Sequence, residues 1–175
     1  MKFALRFALF AATAAFIMGC STLAPVTKIE TIDTSASSYI AFGYGNPGGW
    51  ILLTYYYPAG SLDVFVTNVD TKATLQLKTW GSDQNQAFAV APGRYRITSI
   101  AQIGDGKNTL HYSIPGPVSS EFNVGASTVV YLGKFSITYQ GLARVLSYTD
   151  DFDAAKSGIL AANPRIKDVE KISLP

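Results

Sequence analysis

Cys20 is the residue of this sequence whose side-chain chemistry is easiest to place. It is the only cysteine in the 175-residue chain, so its thiol has no partner for an internal disulfide. A thiolate is a strong nucleophile, and its sulfur readily accepts a covalent group. The preceding residue is the small Gly19. Cys20 is therefore the first candidate in this chain for a covalent modification.

The residues before Cys20 have the layout of a secretion signal. Lys2 and Arg6 give a short positive region, and residues 7–18 are then apolar apart from Thr13. The apolar stretch is well short of the roughly 20 residues that a membrane-spanning helix needs. A positive region, a short apolar stretch and a small residue are typical of a removable signal peptide. We therefore predict a signal peptide over residues 1–19.

The four residues Ile17-Met18-Gly19-Cys20 resemble the lipobox of bacterial lipoproteins. The resemblance implies that the Cys20 sulfur receives a diacylglyceryl group, that the chain is cut before Cys20, and that the new amine is acylated, for example with palmitate. Ser21 follows, whereas an Asp at this position retains enterobacterial lipoproteins in the inner membrane. The resemblance thus implies a lipid-anchored protein of the outer membrane that faces the periplasm.

Other patterns that could bind cofactors or metals are incomplete. Residues 43–48 match G-x-G-x-x-G, but a strand-like run follows, whereas a dinucleotide site needs a helix there. His111 is the only histidine, which excludes a His-rich zinc site, and no G-x-S-x-G elbow accompanies it. Asp150, Asp151 and Asp153 lack the spacing of a calcium loop, and helix capping explains them better. We expect no cofactor, no metal and no catalytic residue.

Composition and charge argue against nucleic acid as a partner. Removal of Lys2 and Arg6 with the signal leaves 12 basic side chains against 12 acidic ones, and no basic run is present. The 10 Tyr, 10 Phe and 2 Trp can supply a packed core without a disulfide. The remaining chain is long enough for one domain.

Short runs rich in β-branched and aromatic residues predict an antiparallel β-sandwich. Several alternate with period two, and in one of them Leu62, Val64 and Val66 share a face. Residues 20–38 are polar and rich in Ser and Thr, so we interpret them mainly as a tether. The domain covers residues 39–175, and strand-like pieces within 26–32 could still pair with it. The predicted strands cover residues 39–42, 50–57, 62–69, 73–79, 87–91, 95–102, 121–124, 128–139 and 142–148.

One short helix is predicted near the C-terminus, at about residues 150–162. Asp150 can cap its first turn, and Phe152, Ala155 and Ile159 fall on one stripe. Asn163-Pro164 ends the pattern. We expect the apolar stripe to pack across an edge or an end of the sheets.

Two segments resemble known families. Residues 88–97 read as a strand, a tight turn at Pro92-Gly93 and a second strand that contains Tyr95, and residues 66–71 read as an earlier turn. Together they look like transthyretin-like or carboxypeptidase-regulatory-like sandwiches, where a PG-x-Y turn recurs. Tyr95 is expected to fold back onto the backbone at this corner. Residues 122–133 resemble the aG-x-x-x-YLG segment of small bacterial envelope lipoproteins of uncharacterised role. The resemblance spans roughly residues 60–165 and implies a fold and a location, but no active site.

These observations support two hypotheses of different class. The first is a non-catalytic interaction module, anchored to the lipid membrane through acylated Cys20, whose partner is an envelope protein or a glycan. Binding would centre on the loop of residues 43–50, with Tyr44 and Trp50 as contact residues, unless Trp50 simply begins a buried strand. The alternative is an envelope hydrolase with a carboxylate pair, or an accessory to a peptidoglycan-processing or secretion assembly.

Overall fold

The computed structural model describes residues 21–24, 26–45, 61–79, 84–103, 109–140 and 143–172. Within these ranges the chain is mainly β, with one α-helix, α1 (Phe152–Ala162), and short 3₁₀ helices at Ile29–Thr31 and Gly116–Val118. The strands are β1 (Thr22–Leu23), β2 (Val26–Thr27), β3 (Ser38–Gly45), β4 (Ser61–Asn68), β5 (Thr74–Lys78), β6 (Gln84–Val90), β7 (Gly93–Ile103), β8 (Thr109–Tyr112), β9 (Phe122–Val124), β10 (Val129–Gln140), β11 (Ala143–Thr149) and β12 (Val169–Lys171).

The strands form two six-stranded sheets. The first sheet has the order β1-β5-β4-β7-β8, with β9 beside β7, and the second has the order β11-β10-β3-β6-β2, with β12 beside β10. The prediction of a mainly β chain with one C-terminal helix is confirmed. The expectation of purely antiparallel sheets is corrected, because β1 runs parallel to β5 and β10 runs parallel to both β3 and β12. Parallel pairs need a crossover. Here the chain runs from β3 through β4 and β5 of the first sheet to β6 beside β3, and then through β7, β8 and β9 of the first sheet before β10 pairs in parallel with β3.

The inward faces of the two sheets share one apolar core. Leu62, Val64 and Val66 are fully buried, as their alternation along β4 predicts. Across the second sheet, the ring of Phe42 stacks on Phe88 at 5.4 Å and meets Phe135 edge-on at 5.7 Å. Burial of these aromatic rings supplies a large hydrophobic contribution, to which ring geometry adds about 1 kcal/mol per pair.

A second apolar cluster lies on the outer face of the second sheet. Helix α1 covers this face with Ala155 and Ile159, which meet Ala41 from β3 and Ile32 from the N-terminal segment. The predicted stripe is therefore buried at these two positions, whereas Phe152 is only partly buried. Helix α1 ends before Asn163, at the predicted stop.

The N-terminal part of the domain is packed rather than extended. Residues 21–38, which we expected to act mainly as a tether, contain β1 and β2 and bury Ala24, Ile29 and Ile32. Ile29 and Ile32 each stand between polar residues in the sequence, so their burial depends on contacts with distant parts of the chain. β2 pairs with β6, with Val26 opposite Phe88. β2 lies within residues 26–32, where the sequence allows strand-like pieces to pair with the domain. The predicted strand at 50–57 lies outside the described residues.

Candidate functional site

Four chain connections meet at one end of the two sheets and enclose a groove, which we call the end groove. They are the segment before β3, the β4–β5 turn, the β6–β7 turn and the β9–β10 turn. The groove has a volume of about 640 Å³. Its lining is Ser35, Ala36, Ser37, Ser38, Asn68, Thr71, Ala73, Leu75, Ala89, Val90, Ala91, Pro92, Tyr95, Ala126 and Ser127.

Asn68 shapes the β4–β5 side of the end groove. Its side-chain oxygen accepts hydrogen bonds from the backbone N–H groups of Asp70 at 3.0 Å and Thr71 at 2.9 Å. This is the Asx-turn geometry that Asn favours, because a short amide mimics the backbone of a turn. Lys72 then adopts a positive φ of 62°, and its N–H returns to the Asn68 carbonyl. The Asn68 amide is thus committed to holding the turn.

The β6–β7 turn is held by Tyr95. Its hydroxyl donates to the Ala91 carbonyl at 2.7 Å, which confirms the prediction that this side chain folds back onto the backbone. Gly93 has a φ of 155°, and a Cβ atom there would lie 2.7 Å from the Asn68 amide nitrogen. The glycine of the Pro-Gly pair is therefore needed for close approach between two turns as well as for its own conformation.

Ser38 joins the remaining two connections. It is buried, its hydroxyl donates to the Gly125 carbonyl at 2.8 Å, and the same oxygen accepts from the Ser127 N–H at 3.1 Å. Thr128 also donates to the Gly125 carbonyl. The polar groups at the base of the groove are therefore satisfied within the protein, which leaves small apolar side chains to define much of the lining.

Charged side chains lie outside the groove. Arg94 donates to Asp70 at 2.6 Å and lies 3.8 Å from Glu121, and all three side chains are about half exposed. The hydrogen bond from Arg94 lowers the pKa of Asp70. Exposed pairs of this kind contribute little to stability, and none of the described lining residues is charged.

The opposite end of the sheets is closed by a polar contact. The side-chain oxygen of Gln102, on β7, accepts hydrogen bonds from the Tyr112 hydroxyl and from Arg144, both at 3.0 Å. Arg144 belongs to β11 of the second sheet, so this contact connects the two sheets. Leu110 on β8 lies beside Gln102 in the register and is 41% exposed.

A buried tyrosine anchors the start of α1. The Tyr131 hydroxyl lies 2.9 Å from the Asp151 carboxylate and 3.2 Å from the Asn85 side-chain oxygen. Burial, and after it the hydrogen bond to Asp151, raises the pKa of Tyr131. The phenol therefore stays protonated and serves as a donor, which suits a structural contact better than proton transfer. Asp150, the predicted cap, pairs with Lys171, and its carboxylate also accepts from the backbone N–H of Phe152, the first residue of α1.

Of the predicted site residues, the structure describes Tyr44. Cys20 and Trp50 lie outside the described residues. Tyr44 is fully buried near the end of β3, so its ring belongs to the core and cannot present a contact surface. Residues 43–45 lie at the end of the sheets opposite to the end groove. Strand periodicity did not separate an exposed aromatic from a buried one here, because the run contains apolar residues on both faces.

His111 does not complete a catalytic set. Its Nδ1 lies 3.5 Å from the Ser99 hydroxyl on the exposed face of the first sheet. In the part of the chain that the structure describes, no carboxylate is hydrogen-bonded to His111. Over the same ranges, no group of three or more His, Cys, Asp or Glu side chains is placed to hold a metal ion. Within them, too, no helix has the length and hydropathy to cross a membrane.

The end groove was not predicted from the sequence. Its parts have visible signals, such as Asn68-Val69-Asp70, Pro92-Gly93 and Gly125-Ala126-Ser127, and each signal predicts a turn. That these turns lie at one end follows only from the strand pairing.

Comparison with known proteins identifies no family for this chain. No protein-family model matches the chain, and no curated protein matches it significantly. Among solved structures it is similar to a leucine-rich repeat protein from Bacteroides thetaiotaomicron, with a TM-score of 0.34 and 16% sequence identity. The similarity covers 61% of this chain but only 14% of that protein, and a TM-score this low transfers neither fold nor function.

Proposed function

We propose that this chain is a lipoprotein of the bacterial envelope, anchored by acyl chains on Cys20, that acts as a non-catalytic interaction module. The observation that carries the proposal is Ile17-Met18-Gly19-Cys20 at the end of a positive and then apolar N-terminal segment. Two or more acyl chains, at ~0.8 kcal/mol per buried CH₂, hold a protein stably at a membrane. Ser21 in place of Asp supports the outer membrane, with the domain facing the periplasm.

We further propose that the two sheets form a sandwich of the transthyretin-like or immunoglobulin-like type. The shared core between their inward faces and the Tyr95 contact at the β6–β7 corner support this assignment. The parallel pairings of β10 depart from that pattern, whose sheets are mainly antiparallel.

The end of the domain opposite to the end groove is the proposed partner surface. It carries Leu110, one of the exposed large hydrophobic side chains, next to the polar contact of Gln102 with Arg144. A single exposed leucine is ordinary on a protein surface, so this end is proposed for its position in the fold and not for its apolar area. β3 also ends here, and its last residues, 43–45, begin the segment that the sequence predicts to bind. An envelope protein or a glycan is the proposed partner.

Replacement of the anchoring thiol tests the location. Cys20→Ser should abolish incorporation of labelled palmitate and release the protein from the membrane fraction or leave it uncut. Ser21→Ala is the matched control, because it changes the neighbouring residue but keeps the thiol. Equal fractionation of Cys20→Ser and wild type would refute the lipoprotein assignment. Ser21→Asp should move the protein to the inner membrane if the sorting rule applies.

Capture of partners tests the interaction role. We expect Leu110→Asp to reduce several-fold the proteins or glycans recovered with the lipidated chain from crosslinked envelopes. Ala154→Asp, on the exposed face of α1, is the control for a new charge elsewhere. Undiminished capture by Leu110→Asp, with the fold intact by circular dichroism, would contradict the proposed surface. Release of product from peptidoglycan fragments by the wild-type protein would favour the hydrolase alternative.

A further inference from the structure

The chain enters the fold at the same end as the end groove. Thr22 pairs with Leu75 in the parallel β1–β5 ladder, and Leu75 lines the groove. Only Ser21 separates Thr22 from Cys20, and two residues of extended chain span at most about 7 Å. Any group attached to Cys20 is therefore held beside the rim of the groove, with no length of tether between them.

The rim of the end groove combines small apolar residues from all four connections with the exposed hydroxyl side chains of Ser35, Thr71 and Ser127. Ala36, Ala73, Ala91, Pro92 and Ala126 are each exposed. Isolated exposed apolar residues are ordinary, but five around one opening form a patch. Since the described lining also holds no charged side chain, the opening suits an uncharged hydrocarbon better than a peptide or a phosphate.

The interior of the end groove continues the same chemistry. Leu75, Val90 and Tyr95 pack with the core between the sheets, and the hydroxyl of Tyr95 is already bonded to the backbone. The volume of about 640 Å³ falls in the range of about 300–1,000 Å³ typical of small-molecule sites.

An exposed leucine marks the same end. Leu23, on the edge strand β1, is 57% exposed and lies three residues after Cys20. Beside a lipid anchor, such a side chain would rest in the membrane interface rather than in water. By contrast, Leu110 lies at the far end of the sheets, near the level of Ser61. Ser61 is seven residues along β4 from Asn68 at the groove, which is a distance of roughly 23 Å.

We infer that the end of the domain that carries the end groove is held against the membrane, and that the groove binds one hydrocarbon chain of the lipid attached to Cys20. The inference rests on the proposed lipidation of Cys20. The attached chain is favoured over a free lipid or a protein segment because the short connection through Ser21 gives it an effective concentration in the millimolar range or above. The remaining acyl chains stay in the bilayer, and the far end points away from it.

Photo-crosslinking in the native membrane tests the occupant. Ala126 is exposed and lines the groove, so a photoreactive benzoylphenylalanine in its place fits without repacking the core. The same amino acid at Leu110 is the matched control at the far end. After irradiation and digestion, mass spectrometry should find the peptide of position 126 joined to an acyl chain of the Cys20 peptide, at least ten times more often than the peptide of position 110.

The outcomes separate this inference from the proposed function. If labelled palmitate is not incorporated at Cys20, the lipoprotein assignment fails and the inference fails with it. If Cys20 is acylated but position 126 crosslinks only to phospholipid or to another protein, the inference alone is overturned. Equal crosslinking from positions 126 and 110 overturns it as well.

Amide hydrogen exchange gives a second measurement that needs no new side chain. Lipidated wild-type protein and Cys20→Ser are compared in the same detergent. Residues 91–93 and 126–128 should exchange more slowly in the lipidated protein, because the bound chain covers these turns, while β8 should exchange equally in both. Equal exchange at the turns would show that the groove is empty and would overturn the inference.

Discussion

The outer face of the second sheet is buried, whereas the described part of the outer face of the first sheet is mostly polar. Helix α1 covers the former with Ile159 and its neighbours. The latter carries hydroxyl groups, such as those of Thr67, Thr74 and Thr98, which hydrogen-bond one another. The difference lies in the residue types at every second position of the strands, which decide whether a sheet gains or loses free energy when a helix covers it.

The two faces also treat buried polar groups differently. Asn163, under α1, uses its whole amide: the nitrogen donates to the carbonyls of Ile29 and Ile32, both at 2.9 Å, and the oxygen accepts from Arg165. Asp63, on the first sheet, is fully buried, and only one of its carboxylate oxygens has a hydrogen-bond partner, the Gln76 amide. Full satisfaction makes a buried polar group stabilising, while an unpaired oxygen makes it costly.

The largest expected effect comes from truncating the helix contact. Ile159→Ala removes a fully buried side chain between α1 and the second sheet and should lower the free energy of unfolding by about 2–5 kcal/mol. Leu160→Ala, one residue on and only partly buried, is the control and should cost less. Both values follow from urea denaturation. Equal losses at the two positions would mean that α1 is not docked by this stripe.

The next effect comes from removing the satisfied amide. Asn163→Ala removes the side-chain donor of the Ile32 carbonyl and one of two donors of the Ile29 carbonyl, which keeps the Ile32 N–H at 3.3 Å. A buried acceptor left unpaired costs about 1–3 kcal/mol. Ser157→Ala deletes an exposed hydrogen bond of the same helix and should stay within about 0.5 kcal/mol of wild type. A thermal melt of Asn163→Ala that matches wild type would show that these contacts do not hold the N-terminal segment.

A smaller effect is expected for Phe152→Ala. The ring is partly buried, lies 6.5 Å from the Tyr131 ring and is flanked by the ammonium groups of Lys156 and Lys171 at 5.6 and 5.9 Å. Exposed cation–π contacts contribute about 0.5–1 kcal/mol each, so the loss should be about 1–2 kcal/mol. Phe152→Leu keeps most of the apolar volume and isolates the ring contribution. A loss as large as that of Ile159→Ala would contradict the partial burial.

Strand alternation and helix end signals predicted the mainly β chain and α1, because these patterns reflect local burial. Leu62, Val64 and Val66 on β4 are the clearest case. The four-residue β8 and the two-residue β1 were not predicted as strands, since such short runs have no period to detect, and β2 was expected only as a strand-like piece within 26–32 that could pair. β1 and β2 are held by backbone pairing with distant strands, and β8 pairs with the preceding strand β7.

The candidate site was less predictable than the fold. Tyr44 was selected for its type, but its burial depends on what covers both faces of β3, which no local pattern records. The end groove combines four turns that are up to 90 residues apart in the chain, and only the register of the sheets brings them together. The sequence predicted the Tyr95 contact because that contact is formed within five residues.

Asp63 and Asp70 give the last test, in which two carboxylates of the first sheet respond to pH with opposite signs. Burial raises the pKa of Asp63 above its ordinary 3.8, so the ionised group destabilises the fold near neutral pH, and this cost is relieved as the pH falls through the raised pKa. Asp63→Asn should therefore raise the Tm at pH 7, and the gain should shrink towards pH 3.8.

The hydrogen bond from Arg94 lowers the pKa of Asp70, so the contribution of Asp70 to stability is present above pH 3.8 and is lost as the pH falls through the lowered value. Asp70→Asn should leave the Tm unchanged or slightly lower at pH 7. Thermal melts of both variants between about pH 3.5 and about 7.5 make this measurement, because the range runs from the ordinary pKa of Asp to neutral pH. A Tm for Asp63→Asn below that of wild type at pH 7 would show that the contacts of the ionised carboxylate, such as that with Gln76, outweigh the cost of its burial.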